Sequence, residues 1–153
     1  MEETLFDVMV KYFERDGWPY EQVEGQTILR LGYRADEIAW TCYAQALLDD
    51  QQFAFYSIAP VKVSPARLAR VAEYITRANF SLILGNFEMD WETGEVRYKT
   101  SIDVEDDRLS YALWRPVVYA NVFITERYLP GLIAVVYEDA APEVAIMQAE
   151  AAP

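Results

Sequence analysis

One segment, residues 85–102, constrains the fold more than any other, because apolar and polar side chains alternate on both sides of a short polar turn. Such alternation is typical of a β-hairpin with one face in a core and the other in water. With residues 92–95 as the loop and Gly94 in a left-handed conformation, one register suits both faces. The predicted pairs are Trp91 with Val96, Met89 with Tyr98, Phe87 with Thr100, Asp90 with Arg97 and Glu88 with Lys99.

Three further strands are predicted between residues 27 and 58, joined by polar linkers at 34–37 and 49–52. A slip of one residue in any strand would turn its apolar side chains to the wrong face, so the alternation favours a defined register. With those linkers as loops, the predicted pairs are Tyr33 with Ile38, Leu31 with Trp40, Leu29 with Cys42, Leu48 with Phe53 and Ala46 with Phe55.

The opposite face of these three strands carries more large apolar side chains than a face open only to water usually does. We therefore predict that something covers it, and three covers are possible: a second subunit, a bound segment, or the terminal residues of the chain itself. The candidate interaction residues on this face are Ile28, Tyr43, Leu47 and Tyr56.

Three helical regions surround the predicted strands. Residues 2–16 form an amphipathic helix that ends at Asp16 and Gly17, and a second helix begins at Ser64 and Pro65. A third helical region covers residues 110–137, where two internal prolines predict kinks or two shorter helices. We divide the chain into one domain, residues 1–137, and an acidic, alanine-rich tail, residues 138–153, which we expect to be mobile. Three apolar tail residues could still dock on a groove: Val144, Ile146 and Met147.

The composition excludes several classes of function. The chain has 153 residues and a formal charge of −12, which disfavours binding to nucleic acid or to anionic membranes. It has no histidine, the commonest general base and metal ligand, and Cys42 is its one cysteine. Neither a signal peptide nor an apolar run long enough to span a membrane is visible, so we expect a cytoplasmic protein.

The remaining candidates for chemistry have simpler structural interpretations. Cys42 lies on the core-facing side of its strand and is expected to be a buried thiol. The acidic residues near 88–95 and at 105–107 lack calcium-loop spacing, and we expect them to be solvated. The arginines of the second helix, Arg67, Arg70 and Arg77, are expected to pair with local carboxylates. The sequence thus predicts no catalytic residue, no cofactor and no metal.

Three motifs resemble the YbjN-like bacterial family. They are Asn79 followed by residues 85–90 with Gly94 and Tyr98, the late runs at 118–122 and 126–132, and Asp16-Gly17-Trp18. The resemblance covers about residues 3–137. It implies a fold similar to type III secretion chaperones, with element order α-β-β-β-α-β-β-α, the same order that the periodicity predicts. Members of that fold commonly form homodimers and hold segments of other proteins. The family is described as a sensory transduction or stress-related regulator without an established reaction.

We therefore predict an α+β domain in which hairpins build an antiparallel sheet with flanking helices. The expected function is a non-catalytic, cytosolic protein-binding module of chaperone or regulatory type, with a homodimer formed through Ile28, Tyr43, Leu47 and Tyr56. The alternative is a small-ligand sensor or an enzyme of unknown reaction, with Tyr43 or Tyr56 beside a pocket.

Overall fold

The computed structural model of the protein describes residues 2–151 as one six-stranded sheet with four α-helices. The helices are α1 (Leu5–Arg15), α2 (Leu68–Ser81), α3 (Tyr111–Tyr137) and α4 (Pro142–Ala151), with a 3-10 turn at Pro65–Arg67. The strands are β1 (Tyr20–Gln22), β2 (Ile28–Ala35), β3 (Ile38–Leu47), β4 (Gln52–Ile58), β5 (Asn86–Met89) and β6 (Val96–Asp103). All strand pairs are antiparallel, in the spatial order β1-β2-β3-β4-β6-β5.

The helices pack on one face of the sheet. The long helix α3 lies against β4 and β6, α1 contacts β3, α2 contacts β5, and α4 packs on α2 and α3. Aromatic rings fill the space between α1, α3 and the sheet, since the Phe13 ring lies 4.9 Å from that of Trp114 and 6.0 Å from that of Phe55. The opposite face of the sheet, which we call the open face, has no described helix on it.

The predicted α+β class is confirmed, and so is the order of the predicted elements. The structure adds two elements that the sequence pattern did not reveal, β1 before β2 and α4 after α3. All three residues of β1 are exposed, so this strand has no apolar alternation that could mark it. Within residues 2–151, no helix is both long and apolar enough to cross a membrane.

All three predicted hairpin registers are wrong by two residues, although the faces are correct. Tyr33 pairs with Trp40, Ala46 pairs with Phe53, and Phe87 pairs with Tyr98. The cause is in the turns. In the first two hairpins, Asp36 and Gln51 adopt left-handed conformations with φ of 53° and 52°, and these conformations change which residues pair across the loops.

In the third hairpin, the side chain of Asp90 caps the turn. Its Oδ1 accepts hydrogen bonds from the backbone N of Glu92 and of Thr93, at 2.8 and 3.3 Å. Asp90 therefore belongs to the loop and does not pair with Arg97. Trp91 follows it into the loop and is 59% exposed, so the prediction that it faces the core is wrong. Gly94 has a φ of 75°, as predicted.

Helix α3 is continuous, so the prediction of two shorter helices is wrong. Both Pro116 and Pro130 lie inside it at exposed positions. The carbonyls that lose a hydrogen-bond donor to these prolines belong to Ala112 and Glu126, which are also exposed. Water can satisfy those carbonyls, which explains why the helix tolerates both prolines.

Residues 142–151, which we expected to lie in a mobile tail, form helix α4. Ile146 is buried against α2 and α3, as the docking alternative required, whereas Val144 and Met147 stay exposed. Glu150 accepts hydrogen bonds from the Ser81 and Tyr128 hydroxyls at 2.8 and 2.9 Å. Because α4 sits on the helical side, it does not cover the open face. The last two residues of the predicted tail lie outside the described residues.

Candidate functional site

The open face carries the four predicted interaction residues near its centre. Tyr43 and Tyr56 are direct cross-strand partners on β3 and β4, while Ile28 pairs with Gln45 and Leu47 with Gln52, both toward the same end of the sheet from this pair. All four side chains are half-buried by their neighbours on the sheet. The alternation of side chains along the strands therefore predicted this face correctly, even though the predicted residue pairs are wrong.

A row of side chains crosses the open face from one edge of the sheet to the other. In spatial order it consists of Glu21, Arg30, Tyr43, Tyr56, Lys99 and Asn86. Ion pairs flank its aromatic centre, because Arg30 lies 2.6 Å from Glu21 and Lys99 lies 2.9 Å from Glu88. The centre of the face is thus aromatic and its margins are charged.

Glu88 connects the charged margin near β5 to the aromatic centre. Its two carboxylate oxygens accept hydrogen bonds from Arg97 Nε at 2.8 Å and from Lys99 Nζ at 2.9 Å. The guanidinium carbon of Arg97 lies 4.5 Å from the centroid of the Tyr56 ring, a cation–π contact. Burial would raise the pKa of Glu88, but the hydrogen bonds and charges of Lys99 and Arg97 outweigh it, and the pKa lies below its ordinary value.

The charges of the open face differ from those of the whole chain. Strand residues on this face include four basic side chains, Arg30, Arg34, Arg97 and Lys99, and three acidic ones, Glu21, Glu88 and Asp103. The chain as a whole carries −12. The open face is therefore close to neutral. An acidic partner would be repelled less at this face than at the rest of the acidic surface.

A shallow depression of about 350 Å³ lies beside the tyrosine pair. Ile28, Tyr43, Tyr56 and Arg97 line it, together with Glu95 from the loop just before β6. Local sequence patterns do not identify Arg97 as part of this surface, because its position depends on the pairing of β4 with β6. These strands are separated in sequence by α2, and no local pattern reports their pairing.

A buried polar network fastens α3 to the helical side of the sheet. Asn121 Nδ2 donates to the backbone oxygens of Phe55 and Tyr98, both at 3.0 Å, and Asn121 Oδ1 accepts from Ser57 Oγ at 2.6 Å. Ser57 Oγ also accepts from the Trp40 indole at 2.9 Å. Because these groups satisfy one another in the core, we interpret the network as structural.

Cys42 belongs to the same interior and is fully buried, as predicted. Its Sγ lies 3.5 Å from Ser57 Oγ. Burial raises the pKa of the Cys42 thiol to about 12, despite the hydrogen bond with Ser57. The thiol is therefore protonated at neutral pH and is a poor nucleophile.

The motifs that carried the family resemblance have structural roles. Asp16 accepts hydrogen bonds from the hydroxyls of Tyr119 at 2.7 Å and Tyr111 at 2.9 Å, and the indole of Trp18 donates to Tyr119 at 3.0 Å. These contacts hold the end of α1 against α3. The hydroxyl of Tyr98 donates to the backbone oxygen of Leu84. The motifs thus position elements of the fold, and they identify no reacting group.

The other charged candidates have local partners. Arg67 and Arg70 each lie 2.5 Å from Asp139, and Arg77 lies 2.9 Å from Glu73, so the predicted pairing with carboxylates is confirmed. In the part of the chain that the structure describes, no group of three or more acidic or cysteine side chains could hold a metal ion.

Comparison with known proteins shows a match in fold. No protein-family model and no curated protein sequence matches the chain. The crystal structure of YbjN from E. coli matches it with a TM-score of 0.60 and 13% sequence identity, over 87% of this chain and 89% of YbjN. YbjN is described as a proposed transcription regulator. The chain therefore has the YbjN fold, in agreement with the resemblance seen in the sequence.

Proposed function

We propose that the chain is a non-catalytic protein-binding module of chaperone or regulatory type, and that the open face is its binding surface. The proposal rests on the Tyr43–Tyr56 pair at the centre of a sheet face that no described helix covers. Tyrosine and arginine are enriched where proteins bind proteins, and Arg97 lies over Tyr56.

The first occupant that we propose for the open face is a second copy of the chain. Two molecules with a charge of −12 repel each other, and contact is least unfavourable where basic and acidic side chains are balanced. The open face meets this condition, and its aromatic centre supplies apolar area for burial. A homodimer formed there would place Tyr43 and Tyr56 in the interface.

The likeness to YbjN supports a regulatory role by analogy of fold alone. We propose that such a role is exerted through contact with proteins. A net charge of −12 opposes direct binding to the phosphate backbone of nucleic acid. We also propose that the protein acts in the cytoplasm without a cofactor.

Site-specific photocrosslinking tests the proposed surface. A benzophenone amino acid placed at Tyr43 should give adducts with a second copy in the purified protein and with defined proteins in cell extract. The matched control carries the same group at Phe123, which is 56% exposed on helix α3. If position 43 gives no more adducts than position 123, the open face is not the binding surface.

A small-ligand sensor is the second candidate, because the depression beside Tyr43 and Tyr56 has a volume within the range of ligand sites. A thermal-shift screen against a metabolite library separates the two functions. A ligand that raises the melting temperature, and loses this effect in Tyr43→Ala, would favour the sensor. No shift across the library would count against it.

A further inference from the structure

We propose a second binding site, on which an extended segment of another protein adds to the free edge of β6 at Ser101–Asp103. The segment would carry alternating apolar and basic side chains. This site borders the open face, where Ser101 and Asp103 lie near Leu47 and Tyr56, but its apolar groove is on the helical side of the sheet. The two proposals have in common only that the chain binds protein, and either can fail without the other.

The free edge exists because the two neighbours of β6 differ in length. Strand β4 pairs with β6 as far as Asp103, whereas β5 pairs with it only from Val96 to Lys99. The backbone of Val96 and of Val104 faces β4, since Ala59 N donates to Val96 O and Val104 N donates to Gln51 O, both at 2.9 Å. Alternate residues of a strand point their N–H and C=O groups to opposite sides. Those of Ser101 and Asp103 therefore point away from β4, beyond the start of β5.

An apolar groove of about 180 Å³ lies beside this edge on the helical side. Its apolar walls are Leu84, Ile102, Leu113, Pro116 and Val117. Leu84, on the segment that leads into β5, is 51% exposed, so part of this apolar wall is open to solvent. An unpaired strand edge next to an apolar groove is the arrangement used in β-strand addition.

The geometry of a strand specifies the chemistry of the segment. Side chains of an added strand alternate between the two sides of the sheet. On the helical side they would meet the apolar groove, so large aliphatic side chains fit there. On the other side they would meet Asp103, and four carboxylates cluster at this end of β6: Asp103, Glu105, Asp106 and Asp107. Lysine or arginine at the alternate positions would complement them.

A second copy of the chain is a poorer occupant of this edge. It would present the same four carboxylates along its own β6 and the following turn. The site is also short, because the backbone at Gly85 approaches Lys99 O closely and limits pairing at that end. A short segment with basic and aliphatic side chains fits the length of the free edge and complements its carboxylates. A second copy of the chain could match the length but would bring further carboxylates to the edge.

Fluorescence anisotropy with synthetic peptides tests the proposal on the full-length chain. The probe is a short acetylated peptide of alternating isoleucine and lysine, and its matched control alternates alanine and lysine at the same charge. We expect the isoleucine peptide to bind at least about tenfold more tightly, because the control cannot fill the groove. N-methylation of the amides that face β6 should weaken binding by about tenfold.

Three variants locate the site. Ser101→Pro removes the N–H group that faces the free edge and leaves the pairing with β4 intact, and Leu113→Gln makes the groove polar. Both should abolish the preference for the isoleucine peptide, while Tyr43→Ala on the open face should leave it unchanged. Hydrogen exchange should show slower exchange at the Ser101 and Asp103 amides when the peptide is bound.

The opposite results would overturn the inference. Equal binding of both lysine peptides would show nonspecific attraction to an acidic protein, and binding unaffected by Leu113→Gln would place the peptide elsewhere. If Ser101→Pro does not fold, the N-methylated peptide and the exchange rate of the Ser101 amide decide the question. The absence of saturable binding would also reject the site.

Discussion

Asn79 and Phe87 are joined by two hydrogen bonds that tie the last turn of α2 to the outermost strand. Asn79 Oδ1 accepts from Phe87 N at 2.7 Å, and Asn79 Nδ2 donates to Phe87 O at 3.1 Å. The amide side chain thus pairs with β5 as a neighbouring strand would. This relationship explains why an asparagine precedes the Gly85–Phe87 segment in the motif that resembles the YbjN-like family.

We predict that Asn79→Ala loosens β5 specifically. The variant loses both hydrogen bonds to Phe87, and its free energy of unfolding should fall by about 1–3 kcal/mol. Amide exchange at Phe87 should accelerate more than exchange within β3. Asn86→Ala is the control, since Asn86 makes only a long contact of 3.3 Å with Phe87 O. Equal effects of the two substitutions would contradict this role of Asn79.

Asn121 should be among the most sensitive positions of the fold. Asn121→Ala removes the donor to Phe55 O and Tyr98 O and the acceptor for Ser57, all inside the core. We expect a loss of about 2–4 kcal/mol in chemical denaturation. Phe123→Ala changes an exposed residue of the same helix and should change stability by less than about 0.5 kcal/mol. A loss for Asn121→Ala no larger than that of the control would contradict the structural role of the network.

Two glycines with the same backbone conformation should respond differently to alanine. Gly17 and Gly85 both have a φ of 75°. A Cβ at Gly85 would lie 2.3 Å from Lys99 O, whereas a Cβ at Gly17 meets nothing within 4 Å. Gly17→Ala should cost about 1 kcal/mol from the left-handed conformation alone. Gly85→Ala should cost about 1–3 kcal/mol more, because the backbone must shift. Equal melting temperatures of the two variants would argue against this close approach.

The contribution of Glu88 to stability should depend on pH. Its pKa is lower in the folded chain than in the unfolded chain, so its ionised form stabilises the fold. This stabilisation is present above the unfolded pKa, near 4.5, and is lost as the pH falls through the lower, folded pKa. We predict that Glu88→Gln reduces the free energy of unfolding by about 1 kcal/mol at neutral pH. The difference from the wild type should shrink in acid, and a difference that grows below pH 4.5 would contradict the prediction.

The sequence predicted which side of each strand faces the core, but not which residues pair. Side chains at alternate positions of a strand lie on the same face, so the sequence places Tyr43 and Tyr56 on the correct face. The pairs depend on the turns. Aspartate only tolerates the left-handed conformation that Asp36 adopts, and nothing in the residue type of Gln51 predicts the same conformation there. Trp91 was misplaced because Asp90 ends the strand by capping the loop.

Contacts between distant segments were the least predictable part of the site. The placement of Arg97 over Tyr56 requires β6 to lie beside β4, which depends on the packing of α3 against both strands and not on local periodicity. Helix α4 was also missed. Its sequence is rich in alanine and acidic residues, and its apolar side chains are too few to form a clear stripe.

Light scattering on the purified chain, as a function of concentration, tests most directly whether the open face binds protein. If two copies bind through the open face, the wild-type protein has a mass of twice 17.6 kDa. Tyr43→Asp should be a monomer, because the substitution removes an aromatic ring from the centre of the interface and buries a charged side chain there. Phe123→Asp, on the helical side, should remain a dimer. A wild-type chain that stays monomeric at high concentration, or a Tyr43→Asp variant that still forms dimers, would show that the open face is not a dimer interface.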